Sequence, residues 1–497
     1  MTRFSSLAIN NPDDLIFGKA PRPLATRRGM VIGGGTVYPE LKFTLPPMEV
    51  SDAHFAEVKT MYKDIVQDAC KRAVELDADG VVIEFETLIE MTLNPRFAIE
   101  ITAQINDILE NFHAHHGLKS VLRVTPNDTR DKNRPPQMRS GKLIDDMFLT
   151  FEKCAENGGE LLSIESTGGK EINDDALLSC DIEKVIFALS IMGVRDMEFL
   201  WKRIVDIAHR THSIAAGDTA CGFGNTAMVL ADRHFIPRIF AAIVRVISVV
   251  RSLVAYEQGA VGPGKDCGYE NAYLKAITGF PMSMEGKTAA CAHLSPVGNI
   301  ASATCDLWSN EAIQNIKLLS GMGPTVSMEQ LIYDCRLMNR SRAEGGDLQL
   351  RNWLVRSDQY RDPQAFVLAP EVIIPVSQAI VAEACPYCAA KAGALVALDL
   401  ISRAYQDGLL KIAEMEVAWI DMLGSAISSL PNSASEFIER VLPTLDESKY
   451  RKQDYLLQES ASAGSCAKQQ DWSRIALATL GTTPTVQQEP ELATGVA

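Results

Sequence analysis

Basic charge is scarce in this chain: 48 Lys and Arg face 63 Asp and Glu, giving a formal net charge of −15 and a pI near 5.1. Nucleic acid is thereby excluded as the principal partner, because phosphate binding needs a clustered basic surface. No secretory leader is expected either, since Asp13 and Asp14 fall where its apolar core would have to run. The expected location is the cytoplasm. No apolar run is free of charge for the length of a bilayer: the longest, 235–256, carries Arg238, Arg245 and Arg251, each costly in lipid. It reads as a buried helix running into a strand, and no membrane association is expected. Framework spacing is absent among the 11 cysteines, so core positions or metal ligands are expected rather than disulfides. Internal repeats of solenoid or propeller period are absent too. VIGGG at 31–35 has no helix or correctly placed acid after it, and GPGK at 262–265 lacks full P-loop spacing, so neither is a nucleotide fingerprint.

What the chain does contain is apolar material, 46% of 497 residues, enough for a large core. Residues 1–75 read as an irregular arm and a helix at 53–76, where Phe55, Val58, Met61, Ile65 and Ala69 recur at helical spacing. That helix is placed to plug or cap a barrel end. From there short β-rich runs alternate with helical segments, the grammar of βα units and a parallel sheet. Eight runs read as strands: 80–86, 120–125, 161–166, 185–191, 214–218, 252–256, 281–285 and 325–328. The count, and the charged or nucleophilic residues at so many strand ends, favour a (β/α)8 barrel over an open doubly wound sheet. The barrel is expected over 76–350 and a helical region packed on it over 351–457, with helices at 372–405 and 414–429. Residues 458–497 have too little apolar surface to fold alone and are expected to be a disordered tail.

Three segments place a metal-ligand type at or just after a strand end: LLSIESTGGKE at 161–171, AGDTAC at 216–221 and VGPGKDCGYEN at 261–271. Glu165, Cys221 and Cys267 would give two thiolates and a carboxylate with a fourth position open, which distinguishes catalytic from structural zinc, and soft thiolates select zinc over magnesium or calcium. Against this, a lone cytosolic cysteine is more often a small buried hydrophobe. Glu84 and Glu86 share one strand face and are candidate proton donors beside such a site. A structural ion pair with Arg123 on the next strand would place them equally well. Asp218 is a third candidate, with orientation of the Cys221 loop as its alternative. Cys291 and His293 follow a strand run and read as core or loop. CPYC at 385–388 lies inside a helical pattern with no thioredoxin-like strand before it, so redox chemistry is not expected there.

The words around these residues resemble one family closely. CAENG at 154–158, ES-x-GGKE at 165–171, AGDT-x-C at 216–221 and RSLVAYE-x-GAVGPGKDCGYEN at 251–271 are followed by KAITG, MEGKT, WSNE and YRDPQ between 275 and 364. Over about 15–450 the chain is similar to the zinc-containing methanol:corrinoid methyltransferases, the substrate-activating subunit. That resemblance implies a β/α barrel, zinc on Glu165, Cys221 and Cys267, and methanol as methyl donor. Zinc stabilises the charge that develops on oxygen as the C–O bond breaks, and cobalt(I) of a corrinoid takes the methyl group. No DxHxxG segment of the cobalamin-binding kind is present, and none of the 8 histidines lies in that context. The corrinoid is therefore expected on a separate partner protein, docked around the loops after Glu165, Asp218 and Cys267, with Lys170 and Lys265 on the rim. The assembly expected is a homodimer or a heterotetramer. The chain departs from the family at Ala220, where an acid is usual, at Phe223, where a polar residue is usual, and at Val124, where a histidine is expected. Those departures admit another methyl donor, such as a methoxylated compound, and a non-catalytic assembly subunit is the remaining alternative.

Overall fold

The computed structural model describes residues 3–45, 48–286, 295–313, 317–318 and 321–457. Cys291, His293 and the tail after Leu457 lie outside them. Near the start a short hairpin, β1 (Lys19–Ala25) and β2 (Val31–Gly34), precedes seven parallel strands. These are β3 (Tyr38–Thr44), β4 (Val81–Glu86), β5 (Ser120–Thr125), β6 (Leu161–Ser163), β7 (Ile214–Gly217), β8 (Ser283–Glu285) and β9 (Leu307–Ile313). They pair in the order β7-β6-β5-β4-β3-β9-β8. The gap between β7 and β8 is closed by 261–264: the Val261 N–H donates to the Ala215 carbonyl at 2.8 Å, and Gly264 bridges to Met282 in parallel. A ring of eight consecutive parallel segments results, which is the expected (β/α)8 barrel.

Three of the runs read as strands are helical. Residues 185–191 continue the helix Ile182–Phe187 into a π turn, Ala188–Gly193, and 252–256 lie inside Arg238–Gln258. Residues 325–328 belong to the helix Gly323–Ala343, which has Pro324 in its first turn. A short, wholly apolar run carries no period, so a buried strand and one turn of a buried helix look alike in it. The barrel's first strand, β3, lies ahead of residue 76, inside what the sequence presents as an arm. The helix Phe55–Glu75 is accordingly no plug: it packs through Val58, Tyr62, Ile65 and Val66 on the outward faces of β3 and β4. Outward Leu41, Phe43, Ile83, Phe85, Leu122 and Val124 form one apolar layer with it.

Inside the barrel the layers differ by height. The floor is apolar, with Met30 and Ile32 of the hairpin packed against Tyr38, Val82, Val121, Leu161, Ala216 and Leu307. VIGGG is thus the barrel's floor. Above it the inward residues become charged, starting with Arg123. Its guanidinium donates to Glu40 at 2.5 Å, to the Ser163 hydroxyl at 2.7 Å and to the Pro263 carbonyl at 3.0 Å. One buried cation thereby ties β3, β5 and β6 to the irregular segment that closes the ring.

The apolar stretch forms a single helix, Arg238–Gln258, with no strand at its end. It has the length and composition of a membrane span but is buried along its whole length. Its arginines turn inward to protein partners: Arg238 to Asp362, Arg245 to Glu270, Arg251 to the Ser166 carbonyl. The C-terminal helices pack beside it. The expected helix at 372–405 is two, Pro370–Ala382 and Pro386–Gln406, because Pro386 cannot donate the hydrogen bond that would continue the first. Cys385 precedes the second helix as a free buried thiol.

Candidate metal centre

Glu165, Cys221 and Cys267 come from three different strand-to-helix loops, and one ligand atom from each lies within 4.8 Å of the others. Glu165 follows β6 after a bulge, where Ser163 pairs with Gly217 instead of its neighbour. Cys221 opens a π turn, Cys221–Asn225, after β7. Cys267 hangs from the ring-closing segment, whose tight path needs Gly262: its φ is +74°, and a side chain there would run into the Pro281 carbonyl. In this state Cys267 Sγ donates to Glu165 Oε1 at 2.9 Å. Burial pushes the Cys267 thiol well above its ordinary value, and Cys221 and Glu165 push the same way.

Two lysines underlie the trio. Lys265 Nζ sits 3.5 Å from Glu165 Oε1, 3.1 Å from Glu84, 3.8 Å from Glu86 and 2.6 Å from Asp266. Lys42 Nζ sits 3.3 Å from Glu86 and 3.7 Å from Glu165. Burial opposes ionisation of Glu165, but Lys42 and Lys265 outweigh it and hold the carboxyl below its usual value. Burial likewise opposes charge on both lysines, and the surrounding carboxylates override it, Glu86 first for Lys42 and Asp266 first for Lys265. Lys265 is 0% exposed. It cannot lie on a docking rim, because its four carboxylate neighbours hold it inside the barrel. Lys170 is half-buried beside Gly222 and paired with Asp174.

The three proton-donor candidates occupy distinct settings. Glu84 accepts from the Thr125 hydroxyl at 2.6 Å and from Lys265, so both oxygens are engaged below the trio. Glu86 is higher and 28% exposed at its side chain; its buried Oε2 makes no hydrogen bond. Asp218 accepts from the Ser166 and Thr219 N–H groups on Oδ1, and from the Ser166 hydroxyl and Trp201 Nε1 on Oδ2. Its carboxylate therefore binds the Glu165 loop to the Cys221 loop. Arg123, register partner of Glu84, turns to Glu40 and pairs with neither Glu84 nor Glu86.

Sequence reasoning missed Lys42, because it lies in the supposed arm. The one available signal was alternation in 38–44, where Tyr38, Glu40 and Lys42 share a face opposite Leu41 and Phe43. The three family departures are all buried. Val124 faces the outer apolar layer, Ala220 is buried with its N–H on Glu270 at 2.6 Å, and Phe223 is buried 4.5 Å beneath the Arg251 guanidinium.

Zinc bonds of ~2.3 Å to sulfur and ~2.0–2.2 Å to oxygen at tetrahedral angles put ligand atoms roughly 3.5–3.8 Å apart. The trio's ligand atoms, all within 4.8 Å of one another, lie near that spacing, and its donor set is that of a three-ligand zinc site.

Known proteins match the chain over nearly all of the described residues. A family model described as methanol-cobalamin methyltransferase B subunit matches residues 1–456. A methanol–corrinoid protein co-methyltransferase of Methanosarcina barkeri is 38% identical over 445 residues, 88% of this chain and 95% of that protein. The crystal structure of the methanol:cobalamin methyltransferase complex MtaBC from Methanosarcina barkeri superposes with a TM-score of 0.88 at 36% identity, covering 92% of this chain and 100% of that one.

Proposed function

Because this chain belongs to the methanol-cobalamin methyltransferase B subunit family, we propose that it activates methanol at zinc and passes the methyl group to a corrinoid on a partner protein. The observation that carries the zinc assignment is the convergence of Glu165, Cys221 and Cys267 at the C-terminal mouth of the barrel, the face where barrel enzymes keep their chemistry. Zinc there supplies Lewis-acid stabilisation of the charge that builds on the methanol oxygen as the C–O bond breaks. The protein's own contribution is electrostatic and protonic. Lys42 and Lys265 keep Glu165 anionic as a ligand and offset part of the negative charge of the trio. Among the three acids, Glu86 is the one with a part-exposed side chain, and its Oε2, ion-paired with Lys42 at 3.3 Å but making no hydrogen bond, is the candidate to hold or pass a proton. Glu84 fixes Lys265 from below, and Asp218 positions two of the ligand loops.

Methanol is favoured over a larger methoxylated donor because the family model and the 38% identical relative are both named for methanol. The test is methyl transfer to cob(I)alamin, followed by its absorbance, with a purified corrinoid partner and a panel of methanol, ethanol and methoxylated aromatics. Methanol is expected to be used and zinc stripping to abolish the transfer. Glu165→Gln is expected to lower turnover at least tenfold, the scale of losses when metal coordination is disturbed. Its melting temperature should shift by no more than about 4 °C, since roughly 1 kcal/mol corresponds to a few degrees in a domain of this kind. A melting shift large enough to account for the lost turnover would make Glu165 a structural residue.

A further inference from the structure

The two cysteine loops meet on a single side-chain amide. Asn225, last residue of the π turn that Cys221 opens, is 2% exposed. Its Nδ2 lies 3.4 Å from Cys221 Sγ and 2.7 Å from the Cys267 carbonyl oxygen. Its Oδ1 accepts from the Arg245 guanidinium. A guanidinium can only donate and a carbonyl can only accept, so the amide has one allowed orientation, with NH2 toward the sulfur. Arg245 is itself locked, donating at 3.0 Å to Glu270 Oε2 and passing over Gly224, where any side chain would strike it. The other Glu270 oxygen accepts from the Ala220 N–H at 2.6 Å and the Ser252 hydroxyl at 2.9 Å. The chain of contacts therefore runs from the residue before one cysteine, through two buried charges, to the sulfur of that cysteine and the backbone of the other.

We infer that Asn225 is a positioning residue of the metal centre, one that fixes the separation of the two thiolates and donates an N–H···S hydrogen bond to Cys221. This rests on Glu165, Cys221 and Cys267 being the metal ligands. A hydrogen bond into a thiolate withdraws electron density from sulfur. A dication bound there receives less charge from Cys221 and remains the stronger Lewis acid. The same bond holds Cys221 in the ligating rotamer, so its loss weakens binding as well as tuning.

Asn225→Asp is the discriminating variant, since it keeps the shape and the Arg245 contact but turns an oxygen toward the sulfur; Asn225→Ala removes the contact outright. Each is loaded with cobalt(II) in place of zinc, and its sulfur-to-cobalt charge-transfer band is compared with wild type. Zinc affinity is measured by competition with a chromophoric chelator. Asn225→Asp is expected to bind zinc at least tenfold more weakly and to shift the band to lower energy, because a more electron-rich sulfur is easier to oxidise. Asn225→Ala should weaken binding in the same direction. Wild-type affinity with an unmoved band in either folded variant would overturn the inference, and so would weaker binding with an unmoved band, which belongs to a merely structural tie. A wild-type protein with no sulfur-to-cobalt band would instead overturn the ligand assignment itself.

Discussion

Cys267→Ser is expected to lose zinc affinity by at least about a hundredfold and to abolish methyl transfer from methanol. Losses of up to that size follow when only the groups around a ligand are changed; here a soft, anionic donor becomes a neutral hydroxyl. The cavity itself survives, because Ser and Cys are nearly isosteric and Cys267 is fully buried among Thr219, Glu165 and Asn225. The variant should therefore fold. Cys305→Ser provides the control: that thiol is equally buried but donates to the Ser302 carbonyl, outside the trio. Elemental analysis of both variants should find zinc retained in the second and lost from the first. Zinc at the wild-type ratio in Cys267→Ser would remove this residue from the ligand set.

The second large effect is on stability. Arg123→Met is expected to cost about 3–5 kcal/mol, because it leaves the Glu40 carboxyl, which burial already pushes above its usual value, fully buried without its partner. It also frees the Pro263 carbonyl from the cation that holds the irregular segment in the ring. The double variant Arg123→Met with Glu40→Met should recover much of the loss, since an apolar pair of similar volume in place of a buried ion pair is often neutral. Urea midpoints of the wild type, both single variants and the double variant give the comparison. An unchanged midpoint in Arg123→Met would show that the ring closes without this interaction.

The convergence of Glu165, Cys221 and Cys267 was legible because each residue sits in a long, distinctive word just after a strand, and strand ends are where a barrel gathers its chemistry. Five of the eight ring segments, β4 to β8, were legible as β-rich runs between helical segments. The identity of several strands was not. β3 carries Glu40 and Lys42 inward and Leu41 and Phe43 outward, the reverse of an ordinary half-buried strand, since a barrel's upper interior is a charged site and its outer face is the core. Pro39 further disguises β3. Conversely, the apolar runs at 185–191 and 252–256 belong to helices buried on nearly every side, where hydrophobic periodicity fades. Lys265 was visible as a cation but not as a buried one, because its four carboxylate neighbours lie from 1 to 181 residues away in the chain. Asn225 lay in plain view four residues from Cys221, with nothing in its spacing to set it apart from a helix-start residue.

X-ray absorption at the zinc edge of the purified wild-type protein tests the metal assignment most directly. One zinc per chain is expected, with two sulfur scatterers at ~2.3 Å and oxygen scatterers at ~2.0–2.2 Å, the sulfur contribution dropping to one in Cys221→Ser. A zinc-free protein with full methyl-transfer activity, or a zinc shell containing no sulfur, would contradict the account.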